Sequence, residues 1–520
     1  MRRGMDRRHF LSGLLSASAT AGLAPAGRLA AAAAPEAIDV AQRFGFVGDG
    51  RTDNYEAFHR FADHVNRSGG GAYVFPPGTY LVARYRTASL GTTDRRETIN
   101  PDIFGANGLS ITGYGARILL NGNFHRAGGK GKDGLPVGMH MATVVPFNIR
   151  GSRNVRIAGF EMDGGVRGMS RDDNVGEAYA YLIALQACAD VVLEDMDLHH
   201  SMTDAVVLSD DFVLTGRLPG RACRNVTLKN VTCRDNGRGG LGALQVRGLQ
   251  AAGCTFSGNG FPGGKYSWHA PGFGVDIEPD RGLLGENIDI RTGDIEFVRC
   301  NFYDNFSAIL ACYVQSFGGY CRFIDCNTRN RHDGPNHIIA AWPGEGILIQ
   351  GGEHDAGKGC IWLSWQGQEG GKSTLRSMNI RSGHDFGLLH PQPDNVTRVE
   401  NCTITGTHTD PGQGHFIFFA QKPQGGQRNV FRGNRIFIPA ARKDEGKVWD
   451  IEPSFVHTDL ADNVYTTDLK VPGLHFTRNY EPATCTVRNE RFRGAFPGPR
   501  DTFRPIAAVE TYDTREPYSS

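Results

Sequence analysis

The sequence predicts an all-β solenoid, one chain wound into stacked coils, with a single amphipathic helix near its start. Three observations carry that expectation. Segments of apolar strand, small residue or cysteine, second short strand and turn-forming Asn or Asp recur around Cys233, Cys254, Cys300, Cys326 and, more faintly, Cys402. Separations of 21, 46, 26 and 76 residues between these cysteines fit a coil of roughly 21–26 residues, the repeat length of a stacked solenoid. Glycine makes up 69 of 520 residues, about twice the usual ~7%, with no collagen period, so turns and short strands should abound. Helical spacing is clearest at Phe58, Phe61, Ala62 and Val65.

The elements follow in chain order. Arg7-Arg8-His9-Phe10-Leu11, a short apolar run and the alanines from Ala30 to Ala34 describe an export signal of twin-arginine type over residues 1–34. The apolar run is too short and too rich in small residues to span a bilayer, and no other long one exists. The mature protein is therefore expected to be periplasmic or secreted, with no membrane span. Ile38-Asp39-Val40 opens a strand. Asp53, with Glu56 three residues on, reads as a helix N-cap with its capping-box partner. Gly69-Gly70-Gly71 ends that helix, Tyr73-Val74-Phe75 is a strand, Pro77-Gly78 suits a type II turn, and Tyr80-Leu81-Val82 resumes the strand. Asp49 and Asp53 read as turn and cap residues rather than metal ligands.

Two segments in this stretch, F-G-x-x-G-D-G-x-T-D from Phe44 to Asp53 and F-P-P-G-T-Y from Phe75 to Tyr80, flank the helix. Together they resemble the start of the pectate-lyase superfamily, in its polygalacturonase-like and pectate lyase 3-type members. The resemblance implies a single-stranded right-handed parallel β-helix whose N-terminal helix plugs the open end of the coil. On that basis residues 35–130 hold the cap and first coils, 131–470 the β-helix, and 471–520 a C-terminal cap and extended tail. Ser209-Asp210-Asp211 matches the D-D segment of polygalacturonase-like enzymes, and Thr203-Asp204 part of their N-x-D. Their G-H-G and ordered R-x-K segments, and the D-P-H of epimerases on this scaffold, do not occur.

Charge and cysteine usage exclude other classes. Lys+Arg 56 against Asp+Glu 55 gives a net charge of +1, which argues against a nucleic-acid-coating protein. The 11 cysteines include no C-x-x-C, so zinc ribbons and thioredoxin-like sites fit poorly. The five spaced cysteines should stack at one coil position as an apolar ladder inside the tube. Asn236, Asn259, Asn305 and Asn330 should form a second ladder at a turn. The 46-residue separation is read as one coil, its extra residues flanking Gly274-Val275-Asp276-Ile277.

Candidate chemistry follows from aligning the last strand of each coil by its inward apolar pair: Val206/Leu208, Leu244/Val246, Val275/Ile277, Ile309/Ala311 and Ile361/Leu363. Alternation then turns outward Val207 and Ser209, Gln245 and Arg247, Asp276 and Glu278, Leu310 and Cys312, and Trp362 and Ser364. Asp276 and Glu278 are two apart on one strand, with Cα atoms about 6.6 Å apart at ~3.3 Å per residue. Three readings of that cluster stand side by side: a solvated acidic face, a calcium site, and a carboxylate pair dividing into acid and base. Asp210 and Asp211 are placed with Asp276 and Glu278 as catalytic candidates. Asp204, Gln245, Arg247, Lys265, Trp268, His269, Asp280, Trp362 and Trp365 are the substrate-binding candidates, the tryptophans as platforms for sugar rings. His199-His200, His332 and His337 read as scattered, and no metal ligand is assigned.

The expected function is cleavage of a polysaccharide or oligosaccharide by carboxylate hydrolysis. A lyase or epimerase acting on a uronate polymer, with Arg247 or His269 moving the proton, is the alternative, and a non-catalytic glycan-binding solenoid is the third reading. No cofactor is required, calcium being the one ion the acidic cluster could take. No nucleic-acid partner is expected, and the chain is read as a monomer or trimer.

Overall fold

In a computed structural model of the chain, the described residues are 36–83, 86–87, 100–120, 141–142, 144–168, 181–210, 221–261, 272–278, 292–311, 317–329, 337–340, 346–355, 361–362, 372–383, 396–407, 418–419, 426–438, 454–455, 457–467, 485–493 and 509–512. Strand alternation sets what lies inside. Along Arg153–Asp163, Val155, Ile157, Phe160 and Met162 are buried, whereas Arg156, Glu161 and Asp163 are partly exposed. From Val246 to Trp362 each coil repeats this pattern over three strands, whereas the earlier coils run the first two together as one long strand, as in Arg153–Asp163 and Ala189–His199. Thr292–Val298, Asn301–Tyr303 and Ser307–Ala311 make one coil, and Phe317–Ile324 begins the next. The first two strands of each coil belong to a 26-stranded sheet and the third to a nine-stranded sheet. Neighbours in both sheets pair in parallel, each residue above its equivalent one coil away. The chain is a parallel β-helix, wound right-handed as parallel crossovers are.

The start departs from expectation in detail. Only Ile38–Asp39 is strand; Asp39 then caps a short helix, α1 (Val40–Phe44), accepting from the Ala41 and Gln42 amides. In the longer helix, α2 (Tyr55–Ser68), the N-cap position is Asn54, not Asp53. Asn54 spends its side chain elsewhere, accepting from the Val47 amide and donating to the Val47, Thr52 and Leu81 carbonyls. Asp53 still accepts from the Tyr55 amide at 3.0 Å, and from that of Ala83 at 3.1 Å. Asp49 accepts from the Arg51 and Thr52 amides, as a turn residue does. α2 buries Ala57, Phe58, Phe61, Ala62 and Val65, with the Phe58 ring 6.1 Å from Phe75 and 6.3 Å from Phe147. The helix thus lays its apolar face on the first coils, and each buried phenylalanine contributes roughly 1.5–3 kcal/mol.

Inside the tube, stacked columns replace the single core of a globular domain. Cys254, Cys300 and Cys326 occupy one column on successive coils, and Cys402 falls in it three coils on. The 46-residue separation is one coil, since Thr255 pairs directly with Asn301. Cys233 is out of place: it pairs with Phe256, two residues further along, and Val231 takes the ladder position. The strand there carries alternating small apolar residues, so either register satisfies the pattern. The nine described cysteines are all buried and free. Burial pushes the Cys402 thiol up to about 11, which keeps it a neutral hydrophobe rather than a nucleophile.

Asparagine columns do polar work at the turns. Asn236 Nδ2 donates to Asn259 Oδ1, and Asn259 Nδ2 to Asn305 Oδ1, both at 2.9 Å, with all three side chains fully buried. Asn330 lies outside the described residues. Beyond Cys402 the cysteine column itself turns polar. The Cys402 amide donates to Asn434 Oδ1, the Asn434 amide to Asn463 Oδ1, and Asn463 Nδ2 to Glu490 at 2.9 Å. Glu490 sits on Thr486–Arg493, a strand paired in parallel with Thr458–Ala461 and Val464–Thr467, so the stack continues past residue 470.

Burial raises the Glu490 carboxyl to about 8, against the hydrogen bonds from Asn463 and Tyr465. The folded state therefore holds a proton that the unfolded chain releases at ordinary carboxylate pH. That stability is present below about pH 4.5 and is lost as pH rises through about 8. Glu490→Gln should flatten this fall, read as the urea midpoint between pH 5 and pH 9. In the same assay Asn259→Ala, which strands two buried donors of Asn236 on the preceding coil, should lower stability by about 1–3 kcal/mol per unmet group.

Candidate active site

The nine-stranded sheet runs from Ile103–Phe104 through Phe147–Arg150, Ile183–Gln186, Asp204–Ser209, Gly239–Ala243, Phe273–Asp276, Ser307–Ala311 and His337–Ala340 to Ile361–Trp362. Val275 and Ile277 are fully buried in the tube, which turns Asp276 and Glu278 to the other face. Asp276 stands in register with Gly242 on the preceding coil and Leu310 on the next.

The two acids hydrogen-bond each other. Asp276 is buried and Glu278 half-buried. Burial first, then the charge of Glu278, hold the Asp276 carboxyl well above the usual carboxylate range; Arg238 opposes this and Asp204 adds to it. Asp276 Oδ1 is buried without a hydrogen-bond partner.

Asp204, two coils before Asp276, is fully buried and held bidentately by Arg238. Nε donates to Oδ1 at 2.8 Å and Nη2 to Oδ2. The guanidinium also lies 5.7 Å from the centre of the buried Phe273 ring. A glycine on the intervening coil makes room for this group: a Cβ at Gly242 would stand 3.3 Å from Asp204 Oδ2. Asp204, Arg238, Asp276 and Glu278 are thus one compact cluster spread over three coils.

The other sequence candidates divide. Asp210 is buried and directly follows the strand Asp204–Ser209. The alignment through Leu244/Val246 is wrong by three residues; the coil partner of Val275/Ile277 is Leu241/Ala243. Gln245 lies at the corner after that strand, its amide donating to the Leu208 carbonyl at 3.2 Å. Arg247 belongs to the 26-stranded sheet, in register with Arg224 and Gly293, and pairs with Asp294 at 2.8 Å. It is not the coil neighbour of Asp276. The glycine-rich Gly239–Ala243 has too few side chains to announce itself as a strand, whereas Leu244-Gln245-Val246-Arg247 alternates well. Trp362 falls in the Asp276 column by backbone register, but one coil later than expected, because His337–Ala340 adds an unforeseen rung. Asp211, Lys265, Trp268, His269, Asp280 and Trp365 lie outside the described residues. Arg238 was missed altogether: in the sequence it looks like part of a glycine-rich turn, and nothing local ties it to an aspartate 34 residues earlier.

The histidine pair is also corrected. His199 and His200 are not scattered; they meet Asp163 of the preceding coil, and one ligand atom from each lies within 4.8 Å of the others. His337 sits on the nine-stranded sheet with its ring 5.5 Å from Phe306, and His332 is outside the described residues.

No family model and no curated protein matches the chain. Similar solved structures include the surface adhesin PfbA of Streptococcus pneumoniae, at 13% identity over 88% of this chain and 90% of that one, TM-score 0.43. The A-module of the Azotobacter vinelandii mannuronan C-5 epimerase AlgE4 matches at 12% identity over 85% and 100%, TM-score 0.41. The catalytic unit of an α-1,3-glucanase from Streptomyces thermodiastaticus matches at 12% over 95% and 71%, TM-score 0.32. At these identities and scores, the fold assignment rests on this chain's own strand pairing.

Arg238 and Arg247 should respond differently to truncation. Arg238→Ala leaves the carboxylate of fully buried Asp204 uncompensated and should cost about 3–5 kcal/mol. The Arg247–Asp294 pair is 46% and 29% exposed, so Arg247→Ala should cost no more than about 1 kcal/mol. Thermal unfolding of the two variants side by side checks the contrast.

Proposed function

We propose that the protein is an exported carbohydrate-active enzyme that hydrolyses glycosidic bonds of a polysaccharide. The observation that carries the reading is the Asp276–Glu278 pair: a buried carboxyl held well above the usual carboxylate range, hydrogen-bonded to a second carboxyl that reaches solvent, on the outer face of a stacked sheet. Glycoside hydrolysis needs one carboxyl to protonate the leaving oxygen and another to act as base or nucleophile. Glu278 is the more exposed of the two and is the group that would meet the glycosidic oxygen; the proton of the hydrogen bond that it shares with Asp276 would pass to that oxygen as the glycosidic bond breaks. Asp210, at the end of the Asp204–Ser209 strand on the same sheet, is the candidate for the second carboxyl. A row of parallel rungs offers an extended substrate a straight track, with Trp362 further along the Asp276 column.

Two observations weigh against the alternatives for this cluster. A lyase or epimerase using Arg247 finds that arginine on the other sheet, paired with Asp294. Calcium would need carboxylate oxygens free to bind it, but Arg238 occupies both oxygens of Asp204, and burial beside Glu278 disfavours the charged form of Asp276. Activity should therefore survive a calcium-selective chelator. An export signal in residues 1–34 would bring the enzyme to polymers in the periplasm or outside the cell.

Incubating the mature protein with plant, algal and bacterial polysaccharides tests the reading. New reducing ends without ultraviolet absorption are expected; an unsaturated product would replace hydrolysis by elimination. On the polymer that responds, Glu278→Gln and Asp276→Asn should each lower turnover by about 10²–10⁴-fold with folding intact. Near-full activity in both variants would remove the site.

A further inference from the structure

A second cluster lies one turn away in sequence from Asp204 and takes no part in the carboxylate site. It begins with a rung contact. Asp163 and His199 end equivalent strands on successive coils and stand in register. His200 follows in the left-handed region, φ 54°. Along a strand, neighbouring side chains diverge to opposite faces. The left-handed turn cancels that divergence, so both imidazoles come to one side, with Nδ1 of His199 2.6 Å from Nδ1 of His200. Asp163 Oδ1 completes a triangle, 3.8 Å from His199 Nδ1 and 3.6 Å from His200 Nδ1. The corresponding turn position on later coils is Asp235, Gly258 or Asp304, residues that tolerate a left-handed φ. Histidine at 200 is thus not what the turn itself asks for.

The surroundings prepare the three atoms for one purpose. His199 and His200 are 3% and 7% exposed. Glu161 Oε1 lies 3.3 Å from His199 Nε2, so Nε2–H donates there and the Nδ1 lone pair is left facing His200 and Asp163. Arg117 holds both acids, Nε at 3.0 Å from Glu161 and Nη2 at 2.6 Å from Asp163 Oδ2. The Gly165 amide donates to Asp163 Oδ1 at 2.9 Å. His200 Nε2 is buried with no hydrogen-bond partner. A carboxylate behind a histidine, fixing its tautomer and its ring, is the usual support of a metal-bound imidazole.

We propose that His199 Nδ1, His200 Nδ1 and Asp163 Oδ1 bind one divalent transition-metal ion of the zinc class. Two imidazoles and a carboxylate suit zinc, cobalt or ferrous ion rather than calcium or magnesium, which prefer all-oxygen shells. Bound through Nδ1 as a neutral imidazole, His200 carries its one ring proton on Nε2, the nitrogen left without a partner, and water fills the remaining positions of the ion. The ion would clip together two successive coils at the turn that leads into Asp204.

Untagged mature protein, stripped with a chelator and titrated with Co²⁺ and Zn²⁺, tests this directly. The expected result is one saturable equivalent, with visible cobalt absorption displaced by zinc. His199→Ala and Asp163→Asn should each weaken binding by at least about 100-fold, and Glu161→Gln, which removes the negative charge behind His199 and its ion pair with Arg117, by about 10–100-fold. His200→Gly keeps the turn residue that Gly258 supplies on another coil, so it separates a lost ligand from a lost fold; it too should weaken binding at least about 100-fold while melting as the parent apoprotein does. Absence of a saturable equivalent in the parent protein, or unchanged affinity in folded His200→Gly, would overturn the proposal.

Discussion

Parallel backbone hydrogen bonds between successive coils set each residue over its equivalent one rung away, and every other feature of the molecule is built on that register. A rung shifted by one residue would turn Val275 and Ile277 out and Asp276 and Glu278 in. The columns inside the tube hold the register. Cysteines stack where the space is small and apolar; asparagines stack where a turn leaves amides and carbonyls to satisfy. Where the cysteine column passes into Asn434, Asn463 and Glu490, the same position changes from apolar to polar packing without breaking the stack.

Register also makes chemistry out of residues far apart in sequence. Asp204, Arg238 and Asp276 come from three different coils, yet the spacing of parallel strands, ~4.8 Å, brings them into one electrostatic unit. Its parts have opposite characters. Asp204 has a guanidinium on both its oxygens, whereas burial and the adjoining Glu278 push the Asp276 carboxyl well above the usual carboxylate range. Gly242, between them, contributes by lacking a side chain. On the adjoining corner, a left-handed histidine achieves a comparable convergence by a different route, within one turn rather than across three rungs.

Much of this was legible in the chain. Cysteine spacing announced a coil of roughly 21–26 residues, and the one strand, Gly274-Val275-Asp276-Ile277, between Cys254 and Cys300 marked that longer interval as a single coil. The helix over Tyr55–Ser68 declared its buried face through 3.6-residue spacing. The outward direction of Asp276 and Glu278 followed from alternation with Val275 and Ile277, a purely local property of a strand.

Partnership between coils was another matter, since it depends on which residue lies above which, and a glycine-rich rung carries almost no pattern to align. Gly239–Ala243 is such a rung, and misplacing it put Gln245 and Arg247 beside Asp276 when Gly242 stands there. The tertiary structure alone gave Asp204 its arginine, Asp276 its burial beside Glu278, and His199 and His200 their aspartate. In each case the deciding energy is an interaction through space between charged or polar groups that no sequence period records. The sequence determined that the chain would coil and which residues would face out; only the folded stack decided which of them would meet.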